Sequence, residues 1–121
     1  MVECLVVGIG GFIGSVCRYL IGLIPVREGW IFPVKTFLIN IVGAFVIGMI
    51  AAATVKNSTL SPRLVLFLKV GVCGGFTTFS SFALETGDLI QSGNARLALL
   101  YAVLSMAAGV AAVFAGEAVI R

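Results

Sequence analysis

Long apolar runs separated by short polar segments make up most of this chain. The runs cover residues 4–24, 34–55, 64–91 and 97–120. A helix that crosses a bilayer needs about 20 mostly apolar residues, and each of these runs is long enough to do so. The pattern therefore predicts an all-α membrane protein, with four transmembrane helices forming a single domain over residues 1–121.

The composition agrees with this prediction and excludes several classes of function. Hydrophobic residues make up 60% of the chain and charged residues 11%, whereas soluble domains average roughly 45–50% and 25%. The eight Lys and Arg residues are scattered singly, so there is no basic stripe for nucleic acid. Histidine is absent and the three cysteines, Cys4, Cys17 and Cys73, lack metal-site spacing, which argues against metal clusters and enzymatic acid–base chemistry.

Small residues recur four positions apart in every run. This spacing lets helix backbones approach closely in lipid, and it predicts tight packing between the spans. The pairs are Gly10 with Gly14, Ala44 with Gly48, Gly71 with Gly75, and Ala112 with Gly116. The connection at 91–96 is short enough that the last two spans must form an antiparallel hairpin.

Positive charges are balanced between the two sides of the membrane. One side carries four: Lys56, Arg63, Lys69 and Arg121. The other side also carries four: Arg18, Arg27, Lys35 and Arg96. Because an excess of Lys and Arg fixes orientation, this balance predicts insertion in both directions and an antiparallel homodimer. The alternative is a single orientation set by one charge.

The third run contains GVCGGFTTFSSF at residues 71–82, whose glycines, threonines and serines weaken a helix. We predict a break at residues 74–77. Non-helical backbone at membrane depth occurs only where protein or water covers it, because unpaired backbone groups are costly in lipid. A break therefore indicates a site, although back-bonding of Ser and Thr within a merely kinked helix is an alternative.

Polar and aromatic side chains in three runs are candidates for that site. Asn40 is the one strongly polar side chain well inside the second run. Phe79 and Phe82 are three positions apart, so they share a helix face, and their ring edges carry positive potential. Tyr101 and Ser105 place two hydroxyls on one face of the fourth run. Interhelical packing and hydrogen bonding are the alternative roles for these residues.

Charged residues occur near one end of the first and third runs. Glu85 and Asp88 follow the predicted break, and Arg18 lies near the same end of the first run. We expect a partly buried pairing between these charges, with a structural role.

Three motifs resemble the CrcB/Fluc family of fluoride channels in order, spacing and content. They are GGFIGSVCRY at 10–19, TFLINIVGAFVIG at 36–48 and GVCGGFTTFSSF at 71–82. The resemblance implies a dual-topology, antiparallel homodimer with two pores between the subunits and a structural sodium ion at the dimer interface. It also implies a multi-pass protein of the inner (plasma) membrane.

The resemblance also assigns roles to individual residues of this chain. Phe79 and Phe82 correspond to the pore phenylalanines, and Asn40 to the donor near them. The polar residues of the pore are Thr78, Ser81, Tyr101 and Ser105. Arg18 corresponds to the basic residue of the vestibule, and the backbone carbonyls of Gly74 and Thr77 correspond to the sodium ligands. Ser81 stands where several family members have threonine, which keeps the hydroxyl.

The predicted function is passive, fluoride-selective export that relieves fluoride toxicity. Fluoride would lose much of its water and meet weak, neutral partners that release it again. A proton-coupled exporter like the small multidrug resistance transporters is a rival, but it needs an intramembrane carboxylate, and the first run has only Glu3, at its very end. A structural membrane protein without transport activity is the third possibility.

Overall fold

The computed structural model describes residues 1–121, and every regular element is helical. Four helices are long and apolar enough to cross a membrane, as predicted. The third of them consists of several segments. In chain order the elements are α1 Val2–Gly22, α2 Val34–Lys56, α3 Pro62–Leu66, a π-helical segment Phe67–Cys73, α4 Gly74–Phe76, α5 Phe79–Gln91 and α6 Ala95–Ile120. The first span therefore starts and ends two residues earlier than the sequence pattern predicted, 2–22 rather than 4–24.

The third span is broken, but the break lies later than predicted. Gly74–Phe76 still form a helical turn, and the backbone becomes extended at Thr77 (ψ 157°) and Thr78 (φ −149°, ψ 117°). The Thr78 side chain then caps α5 by accepting a hydrogen bond from the Ser81 N–H at 3.1 Å. A hydroxyl at this position supplies the acceptor that begins a new helix. Capping at Thr78, rather than glycine flexibility, therefore sets where the helix breaks.

The glycines pack α1 against the first half of the third span, residues 62–76. A methyl group on Gly10 would lie 2.6 Å from the Phe67 carbonyl oxygen and 2.9 Å from the Gly71 Cα. One on Gly75 would lie 2.6 Å from the Gly11 carbonyl oxygen. No side chain fits between these backbones, so the predicted close approach of small residues is confirmed.

The second helix pair is α2 with α6, and here too glycines let the two backbones approach closely. Added methyl groups at Gly48 and Gly116 would overlap the carbonyl oxygens of Val113 and Phe45. At the 91–96 end, α5 and α6 are joined through Tyr101, whose side chain is fully buried. Its ring meets those of Phe32, at 5.4 Å, and Phe82, at 5.0 Å, edge to face. This aromatic contact orients the second half of the third span relative to α6.

Large apolar side chains on the outside of the spans are exposed in the single chain. Phe12, Met106 and Phe114 are among them. Only 14 of 121 residues are buried. A monomer in water could not expose so much apolar surface. Lipid or a second protein surface must therefore cover most of it.

Candidate functional site

The side chain of Asn40 holds the broken third span in place. Its Nδ2 donates to the Thr78 carbonyl at 3.1 Å, and its Oδ1 accepts from the Thr78 N–H at 2.8 Å. In a continuous helix that N–H would donate to the Gly74 carbonyl. Asn40 thus satisfies both backbone groups of one unwound residue in a region without bulk water.

A groove of about 400 Å³ runs beside this contact. It brings together most of the pore residues predicted from the sequence: Asn40, Thr78, Phe79, Phe82 and Ser105, with Thr77 at one edge. The Ser105 Oγ is buried and has no hydrogen-bond partner. A buried hydroxyl without a partner is uncommon, and this one lines a cavity. It is therefore available to a small ligand in the groove.

Two phenyl rings line the same groove. Their centroids are 5.8 Å apart with planes inclined by 52°. Phe82 is half-buried, and its position is restrained by the edge-to-face contact with Tyr101. Phe79 is 79% exposed. An exposed ring at membrane depth needs either lipid or a second protein surface against it.

A second cavity, of about 550 Å³, opens towards the 25–33 loop. Its lining includes Arg18, Ser81 and Thr78, and Thr78 also lines the groove. The predicted residues therefore divide between two adjacent cavities. Arg18 lines the cavity that opens towards the 25–33 loop, and its vestibule role stays a prediction.

The expected pairing of Arg18 with Glu85 or Asp88 is wrong. Arg18 Nε donates to the Gly75 carbonyl at 3.2 Å instead. The one ion pair in the structure joins Arg63 to Glu3, at 3.7 Å and well exposed. The last carbonyls before the break in the third span lack helical partners. One of them, that of Gly75, accepts the hydrogen bond from the Arg18 guanidinium.

Glu85 is bound by two hydroxyls. The Thr36 hydroxyl donates to Oε2 and the Tyr101 hydroxyl to Oε1, both at 2.8 Å. Tyr101 therefore lies behind Phe82 and outside the groove, although the sequence placed it in the pore with Ser105. Thr36 was missed as a candidate. Its position four residues before Asn40, on the same face of α2, was the available signal.

The predicted metal ligands lie at a third cavity, of about 250 Å³. A methyl group added to Gly74 would meet no atom within 4 Å, so this side of the break is open. The N–H groups of Thr78 and Ser81 donate to Asn40 and to the Thr78 hydroxyl. The carbonyls of Gly74 and Thr77 thereby lose the donors that a continuous helix would supply.

Comparison with known proteins identifies the family of this chain. Residues 5–117 match the family described as CrcB-like protein, Camphor Resistance (CrcB). The chain belongs to this family. The matched region covers the two middle spans whole and all but three residues of each outer span, and it includes every candidate pore and sodium residue.

Curated relatives cover almost the whole chain. The Chlorobaculum tepidum protein named fluoride-specific ion channel FluC is 47% identical over 96% of this chain and 92% of its own length. The proteins of the same name from Azobacteroides pseudotrichonymphae and Agrobacterium fabrum are 46% and 43% identical, over 91% and 100% of this chain and 89% and 98% of their own lengths. These relatives are ion channels and not enzymes, in agreement with the prediction for this chain.

Proposed function

We propose that this protein is a fluoride-selective channel that passively exports fluoride across the plasma membrane. The observation that carries the proposal is the family match, in which relatives named fluoride-specific ion channel FluC align with 91–100% of this chain. The groove supports it, because the residues of the family's motifs meet there.

The groove suits a small anion that must bind weakly and then leave. Its polar groups are neutral donors, among them the Ser105 hydroxyl and the Asn40 amide. The edges of the Phe79 and Phe82 rings add positive potential without a fixed charge. No Lys or Arg lines this groove. Weak sites in series permit conduction, whereas a fixed cation would retain the ion.

The pore is proposed to form between two antiparallel chains. In the single chain the groove is open and Phe79 is exposed on one side of it. A twofold axis in the membrane plane would place a second chain against that side and generate two equivalent pores. The four-to-four balance of Lys and Arg between the two sides supports insertion in both orientations.

A sodium ion at the dimer interface fits the residues present. The Gly74 and Thr77 carbonyls are neutral oxygen donors at a break in a transmembrane helix, where unwound carbonyls bind sodium in other transporters. The open space beside Gly74 leaves room for an ion shared with a second chain. When bound, sodium would supply a positive charge that holds the two broken helices together.

Fluoride efflux from proteoliposomes tests the function. Purified protein is reconstituted with a fluoride or chloride load, and efflux is measured with ion-selective electrodes after valinomycin and potassium set the membrane potential. Rapid fluoride efflux without chloride efflux, and without a pH gradient, supports the channel. Efflux that requires a pH gradient would favour the proton-coupled exporter, and no efflux would favour a structural role.

A second experiment tests the dimer. Single-cysteine variants in the 25–33 and 56–62 loops, made in a background lacking Cys4, Cys17 and Cys73, are labelled from outside intact cells. Both loops should label to about half. Labelling of one loop only would show a single orientation and rule out the antiparallel pair.

A further inference from the structure

Phe32 lies in the loop between α1 and α2, and a tight turn holds its backbone. Pro33 follows it with φ −76° and ψ 71°, the values of an inverse γ-turn, and the Val34 N–H donates to the Phe32 carbonyl at 2.8 Å. The proline ring fixes φ and so limits the freedom of this turn. Lys35 Nζ also donates to the Gly22 carbonyl at 2.7 Å and joins the two ends of the loop. The position of the Phe32 side chain is therefore constrained from the backbone.

The Phe32 ring begins a series of aromatic contacts that ends in the groove. Its centroid lies 5.4 Å from that of Tyr101, with the two planes inclined by 77°. Tyr101 in turn meets Phe82 at 5.0 Å and 62°. Phe82 and Phe79 line the groove, whereas Phe32 and Tyr101 do not. Phe32 is thus linked to a ring of the groove through Tyr101.

Tyr101 is suited to pass the position of one ring to the other. Its side chain is fully buried, and its hydroxyl donates to Glu85 Oε1 at 2.8 Å. That hydrogen bond holds one end of the side chain, while Phe32 and Phe82 contact the ring itself. In a close-packed interior a ring moves when a neighbour on which it rests is removed. Loss of the Phe32 ring would let Tyr101 tilt, and Phe82 would lose a fixed surface to pack against.

We propose that Phe32 is a positioning residue for the pore, because through Tyr101 it holds the Phe82 ring in the orientation that the groove requires. This inference rests on the proposed function and adds to it a residue outside the groove. The edge of a phenyl ring carries positive potential and its face carries negative potential, so an anion is sensitive to the tilt of the ring. An edge-to-face contact is equivalent to about a two- to tenfold change in an equilibrium constant, which bounds the expected effect on the rate.

A double-mutant cycle tests whether Phe32 acts through Phe82. Initial rates of fluoride efflux from proteoliposomes are compared for wild type, Phe32→Leu, Phe82→Ile and the double variant. Phe32→Leu should lower the rate about two- to fivefold in the wild-type background. In the Phe82→Ile background it should change the rate by less than about 1.5-fold, because there is no ring left to position. A merely structural role would cause the same fractional loss in both backgrounds.

Two control variants separate the ring contact from a general change in the loop. Phe32→Tyr keeps the ring and should retain the wild-type rate. Trp30→Leu should also retain it, because Trp30 belongs to the same loop but is exposed and forms no ring contact with Phe32 or Tyr101. If Phe32→Leu does not fold, Phe32→Met takes its place with the same expected rates, since the flexible Met side chain fills irregular space without a ring.

Fluorine NMR of the purified protein, in detergent and without free fluoride, gives a readout that does not depend on transport. With para-fluorophenylalanine in place of Phe82, the fluorine chemical shift should change in Phe32→Leu and stay constant in Trp30→Leu. An unchanged signal in Phe32→Leu would overturn the inference. So would unchanged efflux, an equal loss in both backgrounds of the cycle, or an equal loss in Trp30→Leu. A wild-type protein that passes no fluoride would overturn the proposed function instead, while the fluorine signal would still show whether Phe32 sets the position of Phe82.

Discussion

The amide of Asn40 forms two hydrogen bonds to the backbone of Thr78, at 2.8 and 3.1 Å, although 38 positions separate the two residues. One side chain on α2 thus replaces the helical partners of the residue at which the third span unwinds. The same amide lines the groove. Asn40 therefore contributes both to the proposed pore and to the break in the helix.

Asn40→Asp should abolish fluoride efflux. The carboxylate cannot donate to the Thr78 carbonyl, and it places a negative charge beside the path of an anion. Two unit charges about 4 Å apart repel by about 4 kcal/mol near a protein surface, so we expect a loss of at least about 100-fold in the liposome assay. Asn57→Asp is the control, because Asn57 lies in an exposed turn and acts only as an acceptor there. Wild-type efflux in Asn40→Asp would rule out this groove as the pore.

Phe82→Ile should reduce fluoride efflux while the protein stays folded. The substitution removes a ring edge from the groove and the edge-to-face contact with Tyr101. Such aromatic contacts contribute about 0.5–1.5 kcal/mol beyond burial, so the loss of stability should be modest. If the ring edge stabilises the passing ion by a similar amount, the rate should fall about two- to tenfold. Phe114→Ile, on the exposed face of α6, serves as the comparison. If both variants lose efflux equally, the ring edge has no special role.

Gly14→Ala should destabilise the protein. The added methyl group would overlap the Val72 carbonyl oxygen and lie 2.8 Å from the Phe76 backbone nitrogen. Overpacking of this kind costs about 1–3 kcal/mol or more when the backbone must move. Gly8→Ala is the matched change on the same helix, where nothing lies within 4 Å. Thermal unfolding followed by circular dichroism in detergent should show a lower Tm for Gly14→Ala alone, and equal Tm values would contradict the packing described.

Glu85→Ala should be less stable than Glu85→Gln. Alanine leaves the Thr36 and Tyr101 hydroxyls without their acceptor, and each unsatisfied buried group costs about 1–3 kcal/mol. Glutamine keeps an acceptor oxygen, and both hydroxyls can rotate to adapt. Unfolding midpoints in denaturant measure the difference, with Asp88→Ala as the exposed control on α5. A Glu85→Ala protein as stable as wild type would mean that these hydrogen bonds contribute nothing.

Sodium should raise the Tm of the purified protein relative to N-methyl-D-glucamine at equal ionic strength. An ion that binds only the folded form stabilises it by about 2.7 kcal/mol at 100 times its Kd. In Gly74→Ala the methyl group would enter the open space beside the proposed ligands, so the sodium response should shrink. Gly87→Ala, where a methyl group also meets no atom within 4 Å, should keep it. An identical Tm in both cations would remove sodium from the proposal.

The sequence by itself determined the four spans, the packing of small residues and the presence of a break, because each follows from local properties: hydropathy, side-chain size and capping. The predicted break began at Gly74, three residues before Thr77, where the helix actually unwinds. Glycine content indicates where a helix can unwind, but the cap formed by Thr78 decides where this helix does unwind. Most of the polar and aromatic residues that line the groove were also predicted from short sequence motifs.

Only the tertiary structure decided which groups the polar side chains form hydrogen bonds with. Arg18 binds the Gly75 carbonyl rather than a carboxylate, and Tyr101 joins Thr36 on Glu85 instead of lining the groove with Ser105. Hydropathy and spacing tell which face of a helix a residue occupies, but not which neighbouring helix that face meets. A polar group buried in a membrane protein binds whichever complementary group the packing brings within about 3 Å, and that is a property of the assembled helices.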